Sequence, residues 1–221
     1  MYLSRIALNK RLRKSLQAIA FPQMMHAAVL DSFPPSSQLN EKVGSRILWR
    51  LDTIGADTYL YVLSEEKPDF SHIIEQFGWP ASNQSWETKE YATLLERIGI
   101  GQKWQFRLHA NPVHTVKGKI YAHVTVEQQK QWLRDRAEKN GFSFLEFEND
   151  NESYDMFDVI HRDTIKFKRK PSDSNHVVLS VATFEGSIII NDVDQMKHAL
   201  CFGIGRAKAY GCGLLTLAQF K

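Results

Sequence analysis

The chain has little of what would assign it quickly. Two cysteines in 221 residues, Cys201 and Cys212, exclude a disulfide framework, so reduced thiols are expected. No stretch approaches the ~18 consecutive apolar residues of a membrane span, and the opening MYLSRIALNKRLRKSL has no apolar run of the signal-peptide kind. A cytoplasmic protein is expected. No Cys-x-x-Cys or His-Glu-x-x-His spacing marks a zinc site, and His198, Cys201 and Cys212 have no evident fourth partner, so no metal is expected. A P-loop is absent, and Lys208 stands where a dinucleotide fingerprint starting at Gly203 needs glycine; no cofactor is expected. The aromatic run with which RRM domains stack single-stranded bases is also missing, so single-strand readout on a sheet is not supported.

Charge of one sign is scarce in total but not locally. The formal net charge is only +3. Residues 1 to 30 nevertheless carry Arg5, Lys10, Arg11, Arg13 and Lys14 with no acid, and residues 195 to 221 carry Lys197, Arg206, Lys208 and Lys221 with no acid. Arg162, Lys166, Lys168, Arg169 and Lys170 stand against Asp163 alone, while most of the acids between 127 and 158 cluster from Glu146 to Asp158, a run that reads as a solvated loop. Basic patches on a nearly neutral chain fit a polyanion that touches one face, because each neutralised phosphate releases condensed counterions. Solvated helix and hairpin faces, or acidic protein partners, are the plainer alternatives.

With 43% hydrophobic and 24% charged residues the chain can bury a core, and its length suits two units of roughly 100 residues. YLSRIAL reads as a strand, Leu12–Ala20 and Met24–Asp31 as helices parted at Pro22, and RILWRLD and TYLYVLS as a hairpin turning at Gly55. Asp69–Phe77 is a helix stopped by Gly78, and WETKEYA a strand. The order β-α-β-β-α-β then recurs: KWQFRLHA, a helix over Val126–Lys139, strand-like pieces from Phe142 to Lys168, a long strand Val177–Ile190, a helix Val193–Cys201 and a last strand Gly213–Ala218. Each such unit is the ferredoxin-like arrangement, two helices on one face of a four-stranded antiparallel sheet. The expectation is α+β, with tandem domains at 1–99 and 102–221 joined near Gly99-Ile100-Gly101.

Three segments could carry chemistry. Gly203, Gly205 and Gly211 sit in a loop whose backbone could approach a phosphate, with Arg206 and Lys208 beside it; a tight helix-to-strand connection is the alternative. His26 lies just inside a short helix after Phe21-Pro22, and an imidazole titrating near neutrality can take a proton from a ribose 2′-hydroxyl or give one to a leaving 5′-oxygen. Lys166, Lys168, Arg169 and Lys170 lie along and at the turn of a hairpin shaped to meet RNA phosphates, unless they merely protect an edge strand. His109 and His114 flank Asn111-Pro112, a turn at the end of a strand.

MYLSRIAL with the helix-borne His26, FRLHANP (Phe106–Pro112), TFEGSIIIND (Thr183–Asp192) and GIGRAKAYGCGLLTLA (Gly203–Ala218) together resemble the CasE family, the CRISPR repeat-processing endoribonucleases of the subtype I-E Cascade complex. The resemblance spans essentially the whole chain. It implies two ferredoxin-like (RRM-like) domains and metal-independent cleavage of precursor CRISPR RNA at the base of the repeat hairpin. It also implies a 2′,3′-cyclic phosphate product and a processed RNA kept within Cascade beside the other subunits. The family's proton-transferring histidine falls on His26; Gln23 stands where members often have a tyrosine, and His114 stands close to where they often have a basic residue. A non-catalytic scaffold of the same fold that binds hairpin RNA is the alternative reading.

Overall fold

A computed structural model describes residues 1–34, 47–81, 86–149, 152–168 and 173–220. The first half forms an antiparallel sheet of β1 (Tyr2–Leu8), β2 (Leu48–Ile54), β3 (Asp57–Ser64) and β4 (Trp86–Glu90), in the order β2-β3-β1-β4. Helices α1 (Arg13–Ala20), α2 (Pro22–Leu30) and α3 (Ser71–Phe77) cover one face. Alternation along the strands decides which residues meet them. Ile6, Leu60 and Val62 pack with Met25, Val29, Ile73 and Phe77, while Leu48 and Leu63 belong to a different cluster. Phe21 is extended and Pro22 opens α2 at its first position, where the missing N–H costs nothing, so α1 and α2 are separate helices. A short helix the sequence reading did not include, α4 (Ala92–Arg97), leads toward the glycines at 99 and 101.

The second half repeats the plan with additions. Its sheet has the order β11-β12-β5-β13, from β5 (Lys103–Ala110), β11 (Phe157–Phe167), β12 (Val177–Ile190) and β13 (Leu215–Gln219). Hairpin β6–β7 (Val113–Val116, Lys119–Ala122) follows β5, and α5 (Val126–Ala137) starts from a capping box between Thr125 and Gln128. Strand β8 (Phe142–Phe144) pairs with Ile188–Ile190, and β11 with the rest of β12. Between them the acidic run is a hairpin rather than the expected loop, β9 (Glu146–Asn149) against β10 (Glu152–Asp155). Backbone bonds from Leu145 N to Ser187 O (2.9 Å) and Met156 N to Leu145 O (2.6 Å) close the excursion at its base, and Phe147 stacks on Tyr154. Helix α6 (Val193–Phe202), capped by Asp192, completes the unit. Both halves are thus ferredoxin-like, as expected.

The two halves share a core. Leu48, Leu63, Tyr91 and Ile98 cluster with Phe106, Trp132, Phe184 and Leu200. A buried arginine crosses the same junction: Arg50 donates to Asp52 through Nε and Nη2 (2.8 and 2.7 Å), to the carbonyls of Arg107 and Leu214 (2.9 and 2.8 Å), and to Thr216 Oγ1 (2.8 Å). All five guanidinium hydrogens are used, which is what allows a charge to sit at 2% exposure. Arg107, partly exposed, adds an ion pair to Asp52 at 3.4 Å and another to Glu185, so the four charges of the junction balance.

Candidate nucleic-acid interface

His26 is half-buried on α2, and α2 packs against a 3-10 turn, Lys208–Tyr210, at the centre of the glycine-rich loop. That loop is closed on itself and on the sheet: Ile204 N donates to Gly213 O (2.9 Å), and Gly213 N to His109 O (2.7 Å). Two of its glycines are required sterically. Gly203 has φ +73° and a Cβ there would lie 2.7 Å from Gly213 O; Gly211 has φ +80° and a Cβ would lie 2.8 Å from the indole of Trp49. Gly205 is exposed. The loop's glycines therefore serve its packing before they serve any ligand.

Its cations differ. Arg206 is exposed, and its backbone forms a bridge with Asn111 at the end of β5. Lys208 turns inward, its Nζ donating to Phe202 O at 2.6 Å, where an ammonium offsets the unpaired carbonyls and negative end of α6. On the hairpin, Lys166 and Lys168 are exposed on the strand face opposite Ile165 and Phe167. That opposite face holds the loop, since Phe167 meets Tyr210 edge-on with ring centroids 4.8 Å apart. Arg169 and Lys170 lie outside the described residues. Helix α2, the glycine-rich turn and the basic ribbon are thus contiguous, although Lys166 and Lys168 point away from the turn.

Sequence reasoning missed the surroundings of this group. Beside the α1–α2 joint lies a cleft of about 400 Å³ between the halves, bordered by Pro22, Trp49 and Asp52 on one side and by Arg107, His109, His161, Thr183 and Tyr210 on the other. Pairing sets His161, Thr183 and His109 side by side across β11, β12 and β5, and His109 Nδ1 is 2.8 Å from Thr183 Oγ1. Burial, helped by the nearby Arg50 charge, pushes His109 down to about 4, so its ring is neutral at pH 7. The available signal was Arg50 and Asp52 at i and i+2 in RILWRLD, a spacing that places both on one face. His114 stacks with Tyr121 on hairpin β6–β7, near His123 and apart from the cleft. Among the described residues, no group of three or more histidine, cysteine or acidic side chains is placed to hold a metal ion, and no helix is long and apolar enough to cross a membrane.

Fold and surface together define a tandem ferredoxin-like protein with a basic ribbon and a helix-borne histidine gathered around a glycine-rich turn. The chain belongs to the family of CRISPR associated proteins, whose model matches residues 1–219, and within it to the CasE family of subtype I-E. It is 28% identical over 226 aligned positions to the CRISPR-associated endoribonuclease Cse3 of Thermus thermophilus, covering 99% of this chain and 100% of that one. It is 25% identical to the Cascade subunit CasE of Escherichia coli over 166 positions, 73% of this chain and 81% of that one. The solved structure of Thermus thermophilus Cse3 bound to an RNA representing a pre-cleavage complex superposes with a TM-score of 0.78 at 26% identity, covering 98% of each chain.

Proposed function

We propose that this protein is a metal-independent endoribonuclease that cuts precursor CRISPR RNA at the base of the repeat hairpin and keeps the product within Cascade. In this reading it works in the cytoplasm, with domains 1–99 and 102–221. The observation that carries it is the contiguity of the His26 helix, the glycine-rich turn and the basic ribbon, in a chain whose whole length matches a family with an RNA-bound relative.

The ribose 2′-oxygen attacks the adjacent phosphorus, its proton leaves to a base, and the 5′-oxygen departs with a proton, giving a 2′,3′-cyclic phosphate. His26 serves as general base or acid in this exchange, worth about 10² to 10⁴ in rate. The remaining acceleration comes from holding the 2′-oxygen in line with the leaving oxygen, the task of a closed, packed loop rather than a mobile one. Arg206 is the exposed loop cation suited to the charge that builds on the phosphoryl oxygens, and Gly203, Gly205 and Gly211 give the packed turn the shape that presents it. Lys208 contributes by fixing the end of α6 beneath that loop. Lys166, Lys168, Arg169 and Lys170 hold the phosphates of the hairpin stem.

Incubating the protein with a cognate repeat hairpin in excess EDTA is the direct test. One cut with a 2′,3′-cyclic phosphate end is expected; loss of cutting that added magnesium restores would overturn the metal-independent mechanism. Binding without any cut under both conditions would instead support the scaffold reading.

A further inference from the structure

We propose that the cleft between the two halves is a seat for one unpaired nucleobase of the bound RNA, next to the cut linkage. This rests on the function proposed above and adds a specificity subsite to it. Its position beside the α1–α2 joint puts it one helix turn from His26, and Gly211 and Tyr210 of the glycine-rich turn form part of its wall.

The charge of the cleft argues for a base rather than a phosphate. Asp52 is held by Arg50 and Arg107, and Arg107 is held again by Glu185, so the charged groups at the wall are matched among themselves. A phosphate there would face Asp52 without an uncommitted cation from this network, at a cost no hydrogen bond recovers. The wall also offers a neutral polar pair. His109 is uncharged at pH 7 and has its Nδ1 on Thr183, leaving Nε2 as a single donor or acceptor. Trp49 borders the cleft with the indole that packs under Gly211. The volume, about 400 Å³, lies within the roughly 300–1,000 Å³ of pockets that take a ligand the size of a base with its sugar.

Abasic substitution tests this with the full chain and its repeat hairpin. Each unpaired nucleotide within a few positions of the cut is replaced in turn by an abasic site, and binding and single-turnover cutting are measured. One position should weaken binding by roughly 5- to 100-fold, the range for losing a base seated against aromatic side chains. A second arm places 2-aminopurine at that position: its fluorescence should be quenched on binding to the parent protein and less so with Thr183→Val, which keeps the shape of the wall but removes the partner of His109. If no abasic site costs more than about twofold while the intact repeat is bound and cut, the base seat is wrong and the nuclease reading stands. If the intact repeat is neither bound nor cut, both fall together.

Discussion

At the scale of single residues, the structure separates charges that hold the molecule together from charges that are left for a ligand. Arg50 is the clearest of the first kind. Removing it strands Asp52 at 5% exposure with only the longer Arg107 contact, so Arg50→Met is expected to cost about 3–5 kcal/mol in urea unfolding. Arg50→Met combined with Asp52→Leu should recover much of that loss, because no buried charge is then left unmatched. His109 makes a separate prediction. Its folded pKa, about 4, lies below the ordinary value of about 6.5, so between those pH values the unfolded chain binds more protons and stability rises with pH. The contribution is complete above about pH 6.5 and is lost as pH falls toward 4, amounting to roughly 3 kcal/mol. His109→Gln should flatten the difference in unfolding midpoint between pH 7 and pH 5; an unchanged slope would show that other groups set it.

At the scale of elements, the glycine-rich loop is a packed turn that the ribbon and α2 grip from two sides. Gly211→Ala must both adopt φ +80° and push into Trp49, so it should destabilise the protein by about 1–3 kcal/mol and slow cleavage more than it weakens RNA binding. Gly55→Ala in the β2–β3 turn, at φ +61° with open space around its Cβ, should cost about 1 kcal/mol and leave both RNA binding and cutting alone. Elements with strong alternation or helical period were legible in the sequence. The long strand has the bounds expected from its apolar run, Val177–Ile190, and α1, α2, α3, α5 and α6 lie within a few residues of their expected spans. The excursion β9–β10 was not legible because Phe147 and Tyr154 are its only aromatic or apolar positions, too few to set a period; its order comes from pairing with itself and from Leu145 and Met156 at its base, contacts no local pattern encodes. The cleft was legible only at the Arg50 and Asp52 pair, because its other walls, Trp49, His109, His161 and Tyr210, come from four separate segments.

At the scale of the whole molecule, the shared core and the Arg50 bridge tie the two sheets together, so chemical unfolding should follow one transition by both near- and far-ultraviolet circular dichroism. Two separated transitions would show that the junction is weaker than its burial implies. The molecule's surface should be read by salt. Lys166→Glu with Lys168→Glu is expected to lower affinity for the repeat hairpin and reduce the slope of log affinity against log salt by about 1 per lysine, without changing the position of the cut. An unaltered slope would remove the ribbon from the RNA contact. The measurement that reaches furthest is single-turnover cleavage of a saturating amount of His26→Ala on the cognate repeat hairpin. The result expected is a cut at least about 100-fold slower with affinity within a few-fold of the parent protein; a cut at the parent rate would contradict the proposal that this imidazole moves the proton.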